Sequence, residues 1–261
     1  MKAVRILVKA ANALLSAAAV LFLITAGSYS AYALWDNAQV YSTADNVMSE
    51  LLSLKPQSGA QEDNGASFEE LLAVNGDVCA WLTLDGTRID YPILQGEDNL
   101  SYINTDVYGR FALAGSIFLD SRCDNTFHDA YALVYGHHMD NGRMFGDLDK
   151  YKDGKFFGKN SAGALILPDR SYKLEIFACM LVPAAEGMIF DTHMRQTDIG
   201  GLLDFAEAEA VHLRPDTVEA ARGAESPQII ALSTCSSEYT DARTIVLAYM
   251  TPYTTETQVG G

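Results

Sequence analysis

The chain has 261 residues, 49% of them hydrophobic, which allows one large domain or two small ones with an ample core. Its 34 acidic and 18 basic residues give a formal net charge of −16 at pH 7. Such a surface repels polyanions at long range, so nucleic acid is excluded as an expected partner, whereas basic peptides and amines are mildly attracted. The alternative is that this charge serves solubility alone.

The N-terminus contains a long apolar segment. Residues 10–35 carry no charge and follow three cations, Lys2, Arg5 and Lys9. A run of this length can span a bilayer, and cations before it with Asp36 after it predict a cytoplasmic N-terminus and an exterior remainder. We therefore expect a cytoplasmic segment at residues 1–9 and a single-pass anchor in the plasma membrane. A cleaved signal peptide is the alternative, because the residues AGSYSAYA offer a plausible processing site.

Two helices are predicted between the apolar run and the first strand. Apolar residues at positions 40, 44, 47, 48, 51 and 52 form one face of a helix that continues from the membrane segment. Residues 55–66 are rich in Pro, Gly, Ser and Gln, which is typical of a flexible connection. Ser67 and Glu70 then form a capping box for the second helix, which Asn75 and Gly76 end. Residues 36–76 are thus predicted to be an N-terminal helical segment.

The pattern changes to strand at Val78. Residues 81–84 and 89–91 flank an Asp85-Gly86 turn and predict a hairpin. Further strand-like runs occupy residues 116–119, 132–135, 164–167, 172–181, 229–232 and 244–249. Helical periodicity interrupts them near residues 144–151 and over residues 198–213. This order predicts a mostly β domain at residues 77–261, a closed or nearly closed barrel with peripheral helices.

The four cysteines are dispersed, and one of them has a distinctive setting. No CxxC pair suggests zinc or a redox motif. Disulfides are possible outside the membrane, but Cys79 and Cys179 interrupt apolar runs and are better interpreted as small buried hydrophobes. Cys235 ends one predicted strand and Arg243 begins the next. A guanidinium beside a cysteine stabilises the reactive thiolate and can hold an oxyanion formed during acyl transfer. The alternative is a structural thiol near a surface arginine.

Adjacent histidines follow another predicted strand, in the sequence VYGHHMDNGRMF at residues 134–145. A histidine at a strand end can take and return a proton near neutral pH, as acyl transfer through a cysteine requires. Successive side chains of an extended segment point in opposite directions, so only one of the pair should face the site. The histidines have no i, i+4 pairing, which argues against a zinc site. A surface or packing role is the alternative.

These residues resemble the class B sortases. The resemblance rests on LSTC at residues 232–235 with an arginine eight residues after the cysteine, and on YGHHM at residues 135–139. It extends to WDNAQVY at residues 35–41, to WLTLDGTRIDYPILQ at residues 81–95, and to residues 96–105 and 115–120. One departure is Ala231, where the usual TLxTC pattern has threonine. The resemblance implies an eight-stranded barrel whose three catalytic residues lie on or beside adjoining strands.

The resemblance further implies a membrane-anchored cysteine transpeptidase of a Gram-positive cell surface. Cys235 would be the nucleophile, His137 the acid and base, and Arg243 the contact to the oxyanion or substrate carbonyls. The backbone N–H of Ser236 would assist, and Ser233 and Thr234 would contact substrate or pack within their strand. The expected partners are surface proteins with a C-terminal sorting signal such as Asn-Pro-x-Thr-x, and an amine on a cell-wall precursor or a pilin lysine. No metal or organic cofactor is expected.

Three other functions share part of this pattern. A cysteine phosphatase also pairs cysteine with arginine, but its loop carries glycines that cradle phosphate, whereas residues 236–242 contain none. A cell-surface cysteine peptidase would hydrolyse the same acyl-enzyme instead of transferring it. A non-enzymatic pilus-assembly scaffold would give Cys235 no chemical role. The peptidase and the scaffold remain open at this stage.

Overall fold

The computed structural model describes residues 2–56, 65–235 and 241–253, with the side chains of residues 43, 65–67 and 235 outside that description. The chain divides into two compact units, Met1–Asn46 and Val47–Gly261. Most of the first unit belongs to helix α1, which spans Lys2–Leu52. Leu14, Phe22 and Leu34 on this helix are 69–72% exposed. By length and composition alone, α1 is apolar enough to cross a membrane.

The second unit is built around a closed barrel. The described residues of this unit form the strands β1 (Val78–Leu84), β2 (Asp90–Leu94), β3 (Ile117–Leu119), β4 (Tyr131–Tyr135), β5 (Ala162–Ile166), β6 (Ser171–Pro183), β7 (His212–Leu213), β8 (Gln228–Cys235) and β9 (Ala242–Pro252). Eight strands follow the order β5-β1-β2-β3-β4-β8-β9-β6, and β6 pairs back onto β5 to close the barrel. The two-residue β7 adds to β6. The predicted eight-stranded barrel is confirmed.

Two strand pairs of the barrel are parallel, and one of them positions the candidate site. β2 pairs in parallel with β3, and β4 pairs in parallel with β8, while the remaining pairs are antiparallel. Parallel neighbours end at the same rim of a sheet. β9 is antiparallel to β8 and therefore begins at the rim where β4 and β8 end. Three adjoining strands thus bring the segments after β4 and around Cys235 to one end of the barrel.

One helix precedes the barrel, and the others lie in the connections between the strands. They are α2 (Gly65–Val74), α3 (Gly154–Lys159), α4 (Gly187–Phe190), α5 (Thr192–Arg195), α6 (Ile199–Glu209) and α7 (Pro215–Gly223), with a 3-10 helix at Gly146–Lys152. The predicted helix over residues 198–213 ends early, because the chain after Glu209 turns into β7 and pairs with β6. α2 begins two residues before the predicted cap at Ser67, whose side chain is outside the described residues.

The predicted hairpin at the start of the barrel is confirmed. It packs against Leu51 and helix α2. β1 and β2 pair antiparallel, with Leu82 opposite Tyr91, and Gly86 in the turn has a φ of +76° that favours glycine. The fully buried Trp81 donates from Nε1 to Asp90 Oδ1 at 2.6 Å and packs in one apolar cluster with Leu51 and α2 residues. Burial of each large apolar side chain in such a cluster contributes about 1.5–3 kcal/mol.

Candidate active site

The strand register places Cys235 directly opposite Arg243. β8 and β9 are antiparallel, and Cys235 and Arg243 are the last Cα partners at the rim, next to the Thr234 and Thr244 pair. Opposed Cα atoms in antiparallel strands lie about 4.5–5.5 Å apart, with side chains on the same face. The side chain of Cys235 lies outside the described residues. Its backbone position nevertheless puts the cysteine and the arginine on neighbouring strands in register.

His137 belongs to the same rim through the parallel pairing of β4 with β8. Tyr135 is the Cα partner of Ser233, and Gly136 N donates to Ser233 O at 3.2 Å, so the pairing continues one residue beyond β4. His137 stands two residues after Tyr135, as Cys235 stands two residues after Ser233. Adjacent strands are about 4.8 Å apart. The structure therefore brings the backbone of His137 beside the end of the strand that carries Cys235.

Contacts from two loops hold the imidazole and backbone of His137. Its Nε2 lies 2.7 Å from the backbone oxygen of Ile103, and its own carbonyl accepts from Phe145 N at 3.0 Å. A carbonyl can only accept, so Nε2 carries a proton and Nδ1 of the neutral ring keeps its lone pair. The ring is half-buried. This arrangement leaves Nδ1 as the atom that can exchange a proton.

The guanidinium of Arg243 has one recorded hydrogen bond, from Nη1 to the backbone oxygen of Ala242 at 3.0 Å. Arg243 is half-buried, and none of the described carboxylates forms an ion pair with it. A partly desolvated cation of this kind attracts an anion more strongly than one in open solvent does. Its planar fork can donate two parallel hydrogen bonds to substrate oxygens.

Of the predicted substrate-binding residues, Ser233 and Thr234 are buried, and Ser236 lies outside the described part of the chain. Ser233 and Thr234 are each 2% exposed, and neither hydroxyl has a hydrogen-bond partner among the described residues. This burial favours packing within the strand over direct contact with a peptide. The roles of all three stay predictions.

The other three cysteines carry reduced thiols in settings unsuited to nucleophilic attack. Cys123 and Cys179 are buried, and Cys79 Sγ points inward to Ile93 O at 3.4 Å. Burial raises the pKa of the Cys79 thiol to about 12. Burial raises the pKa of the Cys123 thiol to about 12 as well. Because only the thiolate is a strong nucleophile, these two groups are inert near neutral pH.

Sequence reasoning gave no role to Asp120, which is fully buried after β3 and supports the strand that leads to His137. Its Oδ2 accepts from Tyr135 OH at 3.0 Å, from Asn99 Nδ2 at 2.9 Å and from Arg122 Nη2 at 2.7 Å. Burial acts to raise the pKa of Asp120, but the hydrogen bonds from Arg122 and Asn99 outweigh it and hold this pKa below its usual value. Burial, then the Asp120 carboxylate, raises the pKa of Tyr135, which stays a neutral donor. In the sequence, Asp120 could have been identified as a carboxylate that directly follows an apolar strand.

The chain is similar to known proteins in both sequence and structure. No protein-family model matches the sequence. The chain is 34% identical over 171 residues to sortase B of Listeria monocytogenes, covering 66% of this chain and 68% of that relative. A Streptococcus pyogenes class B sortase involved in pilus biogenesis superposes with a TM-score of 0.64 at 38% identity, covering 72% of this chain and all of the other. A mutant form of Clostridium perfringens sortase B superposes with a TM-score of 0.69 at 28% identity, covering 78% and 96% of the two chains.

A closed eight-stranded barrel that matches these structures, with a cysteine and an arginine in register at one rim, defines a cysteine transpeptidase of the sortase type. The Listeria relative is a sortase B, and the streptococcal structure is a class B sortase. The chain belongs to the class B sortases.

Proposed function

We propose that Cys235, His137 and Arg243 are the catalytic residues of this transpeptidase. The proposal is carried by the register of β4, β8 and β9. Cys235 and Arg243 are Cα partners, and the pairing of Tyr135 with Ser233 leads to His137. The half-buried Cys79 and the buried Cys123 support it by exclusion, because desolvation raises the pKa of each thiol to about 12.

The proposed reaction has two steps that share one acyl-enzyme. His137 Nδ1 takes the proton of the Cys235 thiol, and the resulting thiolate attacks a carbonyl carbon. The negative charge that develops on the carbonyl oxygen is stabilised by Arg243 with help from the Ser236 backbone N–H. The C–N bond then breaks, and His137 gives its proton to the departing amine. In the second step an amine attacks the thioester carbon, His137 takes the amine proton, and the Cys235 thiolate leaves.

The proposed substrates are surface proteins that carry a C-terminal sorting signal of the Asn-Pro-x-Thr-x kind, cleaved after the threonine. The acceptor is an amine on a cell-wall precursor or a pilin lysine. The streptococcal relative involved in pilus biogenesis supports the pilin alternative. An acidic chain with net charge −16 favours the approach of cationic amines at long range.

The proposed location is the outer face of the plasma membrane. Residues 10–35 would cross the bilayer with residues 1–9 in the cytoplasm, residues 36–76 would follow as a helical segment, and residues 77–261 would form the catalytic barrel. The uncharged run and the exposed apolar side chains of α1 support this arrangement. Reporter fusions or cysteine labelling from each side of the membrane test the orientation.

The catalytic assignment is tested with the full chain in detergent micelles and a peptide that contains the sorting signal. Intact-protein mass spectrometry should detect the acyl-enzyme on the wild type and on Cys123→Ala, and none on Cys235→Ala. His137→Ala should lose turnover because neither the leaving amine nor the acceptor can exchange its proton. A covalent adduct on Cys235→Ala contradicts the assignment.

A further inference from the structure

The carboxylate of Asp149 contacts two segments that adjoin the catalytic candidates. Asp149 lies on the 3-10 helix Gly146–Lys152 and is 23% exposed. Its Oδ1 accepts from Thr244 Oγ1 at 2.7 Å, and its Oδ2 lies 3.2 Å from His138 Nε2. Lys152 Nζ approaches the same Oδ2 at 3.0 Å. Each oxygen of one carboxylate therefore serves a different strand end.

Thr244 connects this carboxylate to the cysteine and the arginine. It is fully buried on β9 and follows Arg243 directly. Its Cα partner on β8 is Thr234, the residue before Cys235. Successive residues of a strand face opposite sides, so Thr244 and Arg243 point to opposite faces of β9. A hydrogen bond to Thr244 consequently fixes the strand from behind the face that carries Arg243.

His138 connects the same carboxylate to His137. It forms an isolated antiparallel bridge with Met144, and Phe145 N donates to His137 O at 3.0 Å. The loop that starts at His137 thus folds back on itself immediately before the 3-10 helix that carries Asp149. His138 is 26% exposed and turns toward Asp149, whereas His137 contacts Ile103 O.

We propose that Asp149 is a positioning residue, which holds the His137 segment and the Arg243 strand in a fixed relation through its hydrogen bond from Thr244 and its 3.2 Å contact to His138. The inference rests on the catalytic roles proposed above for Cys235, His137 and Arg243. Asp149 does not touch the substrate in this arrangement. It acts because a displacement of about 1 Å between reacting groups lowers the rate steeply, as much as about a hundredfold in measured cases.

The geometry distinguishes this role from general support of the fold. Lys152 and Asp149 alone would make a surface pair on one helix, worth little to rate or stability. The bond to buried Thr244 joins the helix to β9 at one side of the three-strand rim. The contact to His138 joins it to the segment after β4 at the other side. Loss of the carboxylate should therefore change kcat more than KM, since it alters the alignment of reacting groups and leaves the substrate contacts in place.

The test compares variants of the full chain in detergent micelles with the sorting-signal peptide and an amine acceptor. Asp149→Ala and Thr244→Val should each lower kcat about tenfold and change KM less than about twofold. Thr244→Ser should recover most of kcat, because it keeps the hydroxyl donor. Asp149→Asn should give an intermediate kcat, because its single amide oxygen can replace only one of the two carboxylate contacts. The double variant Asp149→Ala/Thr244→Val should lose less than the product of the two single losses, since both remove one interaction.

Asp153→Ala is the matched control. Asp153 caps α3 by accepting from Lys155 N and Phe156 N at 2.9 and 2.8 Å, and none of its recorded contacts reaches His138 or Thr244. Loss of this cap should lower the midpoint of thermal unfolding by about 2–4 °C and leave kcat unchanged. A comparable fall of the midpoint in Asp149→Ala without a fall in kcat overturns the proposal, as do strictly multiplicative losses in the double variant.

Failure of the inference and failure of the proposed function give different results. If Cys235→Ala is inactive and Asp149→Ala matches the wild type, the catalytic assignment stands and the positioning role is wrong. If Cys235→Ala retains transpeptidation, the catalytic assignment is wrong and the basis for the positioning role is removed with it.

Discussion

One substitution at Arg243 can separate the contribution of its positive charge to catalysis from the contribution of its planar guanidinium group. Its guanidinium has one recorded hydrogen bond, to the backbone of Ala242, and no ion pair with the described carboxylates. Arg243→Lys keeps the positive charge and removes the planar fork. We expect kcat/KM to fall about a hundredfold, because one misplaced oxyanion donor typically has that effect. Steady-state kinetics of the Arg243→Lys variant measure this change. Turnover near that of the wild type would show that the positive charge alone is sufficient for catalysis.

Asp120 should make the stability of the barrel dependent on pH. Hydrogen bonds from Arg122 hold its folded-state pKa below the usual value despite burial, so its contribution is present above the unfolded pKa of about 3.9 and is lost as pH falls through the lower folded value. Asp120→Asn should reduce the free energy of unfolding by about 1–3 kcal/mol at pH 7 and by less near pH 3.

Urea unfolding of both proteins at several pH values measures this difference. Asp204→Asn is the control, because Asp204 is 70% exposed and forms a surface pair with Arg222. The control should change stability by less than about 0.5 kcal/mol at any pH. A destabilisation by Asp120→Asn that is equally large at pH 3 and pH 7 contradicts an ionised Asp120 in the folded state.

At the scale of elements, the end of β4 depends on the absence of a side chain at Gly136. A Cβ there would lie 2.5 Å from Ile117 Cδ1 and 2.7 Å from Phe145 Cγ. The isoleucine methyl can rotate away, but the ring of Phe145 is fully buried and must shift as a whole. Because His137 is the next residue, the shift reaches the site directly.

Gly136→Ala should therefore destabilise the protein by about 1–3 kcal/mol and also lower kcat. Thermal unfolding and kinetics on the same preparation measure both effects. Gly158→Ala provides the contrast, since it lies in α3 with nothing within 4 Å of the added atom and should be neutral or slightly stabilising. Full activity of Gly136→Ala shows that the site tolerates displacement of this segment.

The elements that the sequence predicted well are those whose signal is local. The β1–β2 hairpin followed from an Asp-Gly turn between apolar runs, and β8 and β9 followed from β-branched runs around Cys235. The end of the helix at Glu209 was missed because β7 exists only through its pairing with Ala178 and Cys179, residues far away in the chain. α7 was missed although Pro215 at its start is a local signal.

The same distinction applies to the candidate site. The spacing of Cys235 and Arg243 predicted that two strand ends meet, and the register agrees. The contacts of Asp149 could not be predicted, because the hydrogen bond from Thr244 joins residues 95 positions apart in the chain. Ile103 O, which fixes His137 Nε2, is a backbone atom and leaves no trace in residue type.

At the scale of the whole molecule, the division into two units separates the apolar helix from the catalytic candidates. Residues Met1–Asn46 form one unit, and the barrel with its rim belongs to Val47–Gly261. No catalytic candidate lies in the uncharged run of residues 10–35. We therefore expect a soluble fragment that begins at Asp36 to fold and to cleave the sorting-signal peptide as the full chain does. Insolubility of this fragment, or loss of turnover with the fold intact, shows that the first unit contributes more than location.

This fragment also decides between transfer and hydrolysis, because water and amine compete for the same acyl-enzyme. A site that orients an amine gives it a large effective concentration relative to free solution. Without an amine, the fragment should release the hydrolysed peptide slowly. With the correct amine, which is either a cell-wall precursor or a pilin lysine, a ligated product should replace the hydrolysed peptide in mass spectra. Total turnover should then rise. Fast hydrolysis that no candidate amine diverts contradicts the proposed transfer to these acceptors and supports a cell-surface cysteine peptidase instead.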